Sequence, residues 1–311
     1  ALDVQKKVYG GDNHLNVAKT LQEMADTLKA QENYEGALER YGQALGIQKK
    51  VHGGDNHLDV AYTLSDMVDT SLRAQENYDE ALMQCDQALE IQKKIHGSDN
   101  HSDIADTLTW KARTLRAQAK YAEALEHFDQ ALDIEKNVHG GANHLDVAYT
   151  LKAMASILVD QGNYAEALIR YNEAGVIQTS VHGGANHLDV ADTLIGMASV
   201  LNDQGNFDEA LERFDRALEI QMSVYGGANH PDVVETLRRK AQTLENQGNL
   251  EESTETLKEA LREQSRFRDE HFDIDDASMG MAHFLNDAPL HPHVEALTIY
   301  QEALNILSFR G

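Results

Sequence analysis

Residues 187–229 read HLDVADTLIGMASVLNDQGNFDEALERFDRALEIQMSVYGGAN, and this stretch decides the fold. In its first half, Val190, Leu194 and Leu201 recur at spacings that place them on one face of an α-helix. The pattern stops at Gln204-Gly205-Asn206, a combination that is typical of a turn. The first half therefore predicts one amphipathic helix that ends in a short turn.

A second apolar stripe follows this turn. It begins with Phe207, Ala210 and Phe214, which again share one helical face. Gly226-Gly227 ends the stripe, as the C-terminus of a helix requires. Asn229 then stands where an N-cap residue would open the next helix. The stretch predicts a helix–turn–helix unit that leads directly into another helix.

The same unit recurs along the chain, which makes internal repetition the main feature of its architecture. We predict six helix-pair repeats in residues 14–270, the end of a preceding repeat in residues 1–13, and a degenerate seventh repeat in residues 271–311. Residues 1–8 match the end of a second helix, so the natural chain is expected to begin earlier. The copies, 41 to 44 residues apart, begin at His14, His57, His101, His144, His187, His230 and His271.

Composition excludes several classes of partner. The formal net charge is −25, which does not attract nucleic-acid phosphates or anionic membranes, so neither partner is expected. No apolar run is long enough to span a bilayer. Cys85 is the single cysteine, so no intrachain disulfide forms and a cytoplasmic location is expected. Cys85 stands where other repeats have Tyr or Phe, and we expect it to be buried.

The repeat HLDVAxTLxxMAxxLxxQGNYxEALxRYxxALxIQxxVHGGxN resembles the tetratricopeptide repeats of kinesin light chains and of related bacterial and nephrocystin-like proteins. The resemblance implies an all-α fold, a right-handed superhelical solenoid of tetratricopeptide helix–turn–helix repeats, with first helices lining a concave groove. In kinesin light chains that groove binds cargo peptides, often acidic ones with Trp or Tyr. The heptad segment that joins a light chain to its heavy chain is not found here, so motor binding does not follow.

One position departs from the family pattern. The family usually has Asn directly after the Leu of the first helix, where it can clamp a peptide backbone. No copy here has Asn, and the residues found are Gln22, Ser65, Thr109, Lys152, Ile195 and Arg238. The resemblance therefore supports a peptide-binding scaffold more than the family's own mode of peptide binding.

Residues on the face of the first helices opposite the packed stripe change from repeat to repeat. Between Lys19 and Lys152 these positions hold six basic and three acidic residues, which predicts a ligand that is acidic or both acidic and aromatic. The competing interpretation is an ordinary solvated surface. The predicted peptide-binding residues are Lys19, Gln22, Tyr62, Arg73, Trp110, Arg113, Arg116, Tyr149 and Lys152.

The loops between repeats combine His with Asp and invite a metal-site interpretation. His52, His57 and Asp59 are one example, and the same trio recurs in the next three loops. Imidazole and carboxylate suit zinc or nickel, but the spacing matches no familiar zinc pattern. Tyr9 and Tyr225 replace the first His in two copies, so a ring that packs at the helix end is the favoured interpretation, and no metal is expected.

No catalytic residue and no cofactor is predicted. The Gly-Gly pairs are followed by no Gly-Lys-Ser/Thr, which excludes a P-loop, and no nucleophile–base arrangement stands out. The favoured function is a non-enzymatic scaffold that binds a peptide or partner protein in the groove. The alternatives are a self-assembling structural array that associates end to end and the adaptor part of a larger protein.

Overall fold

The computed structural model describes residues 13–74 and 77–267, and this part of the chain contains α-helices and no strands. Two predicted parts lie outside the described residues, apart from Asn13. They are the end of a preceding repeat in residues 1–13 and the seventh repeat in residues 271–311. The chain divides into two compact units, Ala1–Gly162 and Asn163–Gly311.

The first unit contains seven described helices. Neighbours in sequence pack against one another, and α3 also packs against α5, so first helices of successive repeats lie side by side. The helices are α1 (Leu15–Ala30), α2 (Tyr34–His52), α3 (Leu58–Ala74), α4 (Tyr78–His96), α5 (Ser102–Ala117), α6 (Tyr121–Val138) and α7 (Leu145–Asp160).

The second unit contains five described helices that pack in the same serial manner, and α9 also contacts α11. These helices are α8 (Tyr164–Val181), α9 (Leu188–Asp203), α10 (Phe207–Tyr225), α11 (Pro231–Gln247) and α12 (Leu250–Phe267). None of the described helices is both long enough and apolar enough to cross a membrane.

Histidine, and not asparagine, caps the first helices. At α11 the N-cap residue is His230, whose Nδ1 accepts a hydrogen bond from the backbone N–H of Asp232 at 3.2 Å. The prediction that Asn229 caps this helix is therefore wrong. The imidazole acceptor satisfies one of the backbone donors that every helix start leaves free. At the other ends, Gly53 and Gly226 adopt left-handed conformations as C-caps, as their Gly pairs predict, and the single Gly97 does the same.

Small residues let the helices of a pair approach closely. In the first repeat, Ala25, Ala37 and Tyr41 are completely buried and form one cluster. Cys85 takes the place of Tyr41 in the second repeat and is also buried, which confirms that prediction and raises the pKa of its thiol to about 12. A protonated, buried thiol is chemically inert.

A buried hydrogen bond joins adjacent repeats at four junctions. Thr63 Oγ1 donates to Gln48 Oε1 at 2.9 Å, and Thr107 and Thr193 make the same bond to Gln92 and Gln178. Between the third and fourth repeats a glutamate takes the place of glutamine, and Thr150 donates to Glu135 at 2.8 Å. Because these groups are buried, the bonds fix the register between repeats.

The second repeat has one extra residue between Val68 and Tyr78, which predicts a bulge in its first helix, a lengthened turn or a local fray. The packing near Ser71 is undisturbed. Helix α3 is α-helical throughout and has 17 residues, against 16 in α1 and α5. Thr70 and Ser71 are buried in the same register as Thr114 and Leu115 of the third repeat. The predicted bulge in the helix is therefore absent from residues 58–74. The helix ends at Ala74, so any lengthened turn would fall at residues 75 and 76, outside the described residues.

Two glycines within helices are predicted to respond oppositely to alanine. A Cβ on Gly196 would lie 2.7 Å from Cε1 of Tyr171, whereas a Cβ on Gly46 would have no atom within 4 Å. We expect Gly196→Ala to lower the free energy of unfolding by about 1–3 kcal/mol through overpacking. Gly46→Ala should raise it by about 0.5–1 kcal/mol through helix propensity. Urea denaturation followed by circular dichroism measures both, and a stabilised Gly196→Ala protein would contradict the packing described here.

Candidate functional site

A pocket of about 360 Å³ opens on the side of the first unit where α3 and α5 run side by side. We call it the α3–α5 pocket. Its lining contains two aromatic rings, three carboxylates and one guanidinium. The residues are Tyr62, Ser65, Asp66, Gln92, Asp103, Asp106, Thr107, Thr109, Trp110 and Arg113.

One edge of the pocket is held by Asp103. Its carboxylate accepts a hydrogen bond from the Tyr62 hydroxyl at 2.9 Å, and His96 Nε2 lies 3.0 Å from the same oxygen. The bond between Tyr62 and Asp103 joins two adjacent repeats. Tyr62 nevertheless keeps 45% of its surface exposed. Its ring is therefore fixed in place and still open to a ligand.

The other two carboxylates differ in exposure, since Asp66 is half-buried and Asp106 is exposed. Burial raises the pKa of Asp66 to about 6, and burial, with Asp146 and Asp103 nearby, raises the pKa of Asp106. A carboxylate in such a place is costly to ionise, and a cation placed beside it would remove that cost. The Thr109 hydroxyl oxygen is also buried and has no hydrogen-bond partner within the part of the chain that the structure describes.

Trp110 has two roles. Its ring packs against the buried cluster of Val68, Ala81 and Cys85, where the small thiol leaves room for it. Its other side faces the pocket, and the Arg113 guanidinium carbon lies 5.0 Å from the ring centroid. This is a cation–π contact that already occupies the arginine.

The structure brings together three of the predicted site residues, Tyr62, Trp110 and Arg113, in this one pocket. The other six lie on neighbouring helices of the first unit. Lys19 and Gln22 are on α1, Arg73 is near the end of α3, Arg116 is on α5, and Tyr149 and Lys152 are on α7. All nine therefore lie on first helices of the first unit, and three of them line the pocket.

Half of the six basic residues counted on this face, namely Lys29, Arg73 and Arg116, have acidic partners. Lys29 and Arg73 both lie 3.2 Å from the carboxylate of Asp69. Arg116 donates to Asp160 at 2.7 Å. Gln22 is also engaged, since its amide donates to Thr63 Oγ1 at 3.0 Å. Half of the basic residues that the sequence places on this face are thus neutralised within the first unit.

The sequence reasoning missed Asp66 and Asp103. Asp66 has the same position in its repeat as Trp110, nine residues after the opening histidine, and this equivalence could have identified it. In the sequence, Asp103 stands out only as the aspartate of its loop trio and as a residue in the first turn of α5. With both included, the pocket holds three carboxylates against one guanidinium. The lining of this pocket is therefore acidic on balance, and the predicted basic surface along the first helices stays a prediction.

Comparison with known families identifies the repeat. Models described as tetratricopeptide repeat match residues 17–59, 60–103, 103–174 and 189–262, which together exceed half of the chain. The chain belongs to the tetratricopeptide repeat family. No curated protein matches it.

Solved tetratricopeptide structures share this fold at low sequence identity. BtubC (BKLC) from P. vanneervenii is 17% identical, with a TM-score of 0.61 over 83% of this chain and 92% of that one. A Podosopora anserina protein described as a kinesin light chain with nearly identical TPR-like repeats is 17% identical, with a TM-score of 0.58 over 68% and 99%.

A Rap protein complexed with competence and sporulation factor is 16% identical, with a TM-score of 0.52 over 93% of this chain and 74% of that one. At such identities the similarity shows the fold alone. The structural similarity and the family match together support an all-α tetratricopeptide fold of the kinesin light chain-like type.

The tetratricopeptide loops also bring histidine and aspartate together. His52 and His57 stack with ring centroids 3.4 Å apart, which confirms that a ring packs at the helix end. Three further loops repeat the arrangement, and in each of the four loops the three side-chain ligand atoms lie within 4.8 Å of one another. These are the described residues with the geometry to hold a metal ion.

Proposed function

We propose that this tetratricopeptide protein is a non-enzymatic scaffold whose α3–α5 pocket binds a side chain of a partner protein or peptide. Tetratricopeptide repeats generally mediate protein–protein interaction, and a Rap protein with this fold is complexed with competence and sporulation factor. The observation that carries the proposal is the convergence of an exposed ring (Tyr62), a half-buried ring (Trp110) and three carboxylates in one open pocket.

The lining favours a side chain that is positively charged and partly apolar, such as arginine or lysine. Tyr62 and Trp110 provide ring faces for the aliphatic stem and the cation. Asp66 and Asp106, whose pKa values burial raises, gain a counter-charge when such a side chain enters. The net charge of −25 adds a long-range attraction for basic partners.

An acidic peptide, the ligand expected from the sequence, fits less well. It would have to displace the bonds that Arg116 makes with Asp160 and that Arg73 makes with Asp69. It would also meet Asp66 and Asp106 in the pocket. The proposed ligand is therefore basic and not acidic, and Tyr62 and Trp110 remain the contacts for its apolar part.

Two further expectations stay predictions. End-to-end self-association through terminal helices involves residues outside the described part of the chain, and sedimentation at rising concentration tests it. The cytoplasmic location rests on the single cysteine, Cys85. Fractionation of the native cells tests that location.

The test is fluorescence anisotropy with labelled peptides that share one tyrosine and differ only in flanking arginines or glutamates. We expect the arginine peptide to bind and the glutamate peptide not to bind. Asp66→Asn and Asp106→Asn should each weaken binding about five- to tenfold, since each removes about 1 kcal/mol of charge interaction.

The matched control is Asp133→Asn, which makes the same charge change on the exposed surface of α6. It should leave the affinity unchanged. Tighter binding of the glutamate peptide, or an equal loss of affinity in Asp133→Asn, would contradict the proposed role of the α3–α5 pocket.

A further inference from the structure

The loops between repeats hold a second recurrent group of side chains, and Asp103 is the one member of this group that also lines the α3–α5 pocket. Each group consists of two histidines and one aspartate, which we call a histidine cluster. The four clusters are His52/His57/Asp59, His96/His101/Asp103, His139/His144/Asp146 and His182/His187/Asp189. Each lies within one of the two compact units, with three in the first and one in the second.

The donor atoms already have spacings close to those of ligands on one metal ion. In the first cluster, His52 Nε2 and His57 Nδ1 lie 3.0 and 3.5 Å from the same Oδ2 atom of Asp59. The corresponding distances in the other three clusters are 2.8–3.0 Å and 3.3–3.7 Å. Two ligands bound at about 2.1 Å to one ion are about 3.0–3.4 Å apart.

Solvent can reach the clusters. One histidine ring must rotate before both imidazoles can bind the same ion. The second histidine is exposed in each, with 44% of the side chain accessible at His57. The two rings are parallel, so the exposed ring must turn to direct its lone pair at a shared ion. In turning, His57 Nδ1 gives up the N-cap hydrogen bond that it accepts from Asp59 at 3.2 Å. Metal binding replaces that bond with a stronger ligand bond.

The fifth described loop provides an internal comparison. There Tyr225 takes the place of the first histidine, stacks on His230 at 3.5 Å, and donates a hydrogen bond from its hydroxyl to Asp232. Stacking and the hydrogen bond to aspartate therefore need no imidazole. A histidine at this position adds a metal-binding nitrogen that the local structure does not require.

We propose that each histidine cluster binds one divalent transition-metal ion through two imidazole nitrogens and one carboxylate oxygen, with water completing the coordination. This donor set suits Zn²⁺, Ni²⁺ or Cu²⁺ and is a poor match for Ca²⁺, which takes six to eight oxygen ligands. The proposal replaces the expectation that these loops carry no metal.

The test is isothermal titration calorimetry of the full chain with Ni²⁺, and with Ca²⁺ as the comparison ion. The wild-type protein is expected to bind four more Ni²⁺ ions than the variant His52→Tyr/His96→Tyr/His139→Tyr/His182→Tyr. This variant copies the natural Tyr225 loop at every cluster. Circular dichroism without metal should show that it keeps the wild-type helical content.

The reverse substitution, Tyr225→His, creates a fifth cluster with His230 and Asp232 and should add one Ni²⁺ ion per chain. Equal stoichiometry in the wild type, the fourfold variant and Tyr225→His would overturn the proposal, as would equal binding of Ca²⁺. Should the fourfold variant fail to fold, the gain in Tyr225→His decides the matter alone. The readout needs no peptide, so it is independent of the proposed function of the α3–α5 pocket.

Discussion

Replacing Phe128 by alanine is expected to lower the free energy of unfolding of the first unit by about 3–5 kcal/mol. Phe128 is completely buried on α6, with Ala124 and Ala131 equally buried one turn to either side. Because the flanking residues are already alanine, no larger side chain next to it on α6 can move in to fill the cavity. The loss of stability therefore includes both the burial free energy of the deleted ring and the cost of the cavity left behind.

Urea denaturation followed by circular dichroism measures this effect. The control is Met83→Ala on α4, whose side chain is 70% exposed, and it should change the stability by less than about 0.5 kcal/mol. A repeat protein can lose stability locally, so the loss should be largest in hydrogen exchange of α5 and α6. A loss below about 1 kcal/mol for Phe128→Ala would contradict the packing described for this repeat.

Replacing Glu135 by glutamine is expected to raise the free energy of unfolding at pH 8 by about 1–3 kcal/mol. Glu135 is buried, and burial raises its pKa to about 7, although the hydrogen bond from Thr150 acts in the opposite direction. Its second oxygen, Oε2, is buried with no hydrogen-bond partner in the described part of the chain. Glutamine occupies this place in other repeats, as at Gln92 and Gln178.

The pH dependence follows from the raised pKa of Glu135. In the unfolded chain the carboxyl titrates near its ordinary value of 4.5, and in the folded chain it titrates at about 7. Between these values the folded protein holds the proton more tightly, so wild-type stability falls as the pH rises through this window. The advantage of Glu135→Gln should therefore vanish below pH 4.5 and be complete above pH 7. Thermal melts at pH 4.5, 6 and 8 measure it, and a pH-independent difference would contradict the burial of an ionisable group here.

The repeat architecture could be predicted from the sequence because its causes are local. Apolar spacing indicates each helix, and Gly pairs such as Gly226-Gly227 mark the helix ends. The N-cap was predicted wrongly because Asn229 is a common capping residue, whereas the imidazole of His230 reaches the backbone of Asp232 here. The predicted and observed cap residues are adjacent, so the predicted start of the helix differs from the observed start by one residue.

The candidate site could be predicted only in part because some of its charged side chains form ion pairs with residues of a neighbouring repeat. Reading each first helix separately identifies Tyr62, Trp110 and Arg113, all of which line the α3–α5 pocket. It does not reveal that Arg116 pairs with Asp160, which lies 44 residues away. Contacts of this kind depend on how one repeat stacks on the next. A count of charges along the sequence therefore overestimates the positive charge available to a ligand.

The relation between Trp110 and Cys85 also needed the structure. The sequence shows a small residue at a place where other repeats have an aromatic ring. The structure shows that a ring from the following repeat, that of Trp110, packs against the cluster that contains Cys85. This packing fixes the tryptophan at the edge of the pocket, which it lines together with Arg113.

The central claim, that a basic and partly apolar side chain enters the α3–α5 pocket, is tested most directly by the fluorescence of Trp110. It is the only tryptophan in the chain, so the emission reports this pocket alone. Titration with a tryptophan-free arginine peptide should shift or quench the emission in saturable fashion, and Asp66→Asn should move the midpoint to higher peptide concentration. Binding of that peptide, detected by anisotropy, without any change in the Trp110 emission would contradict the claim.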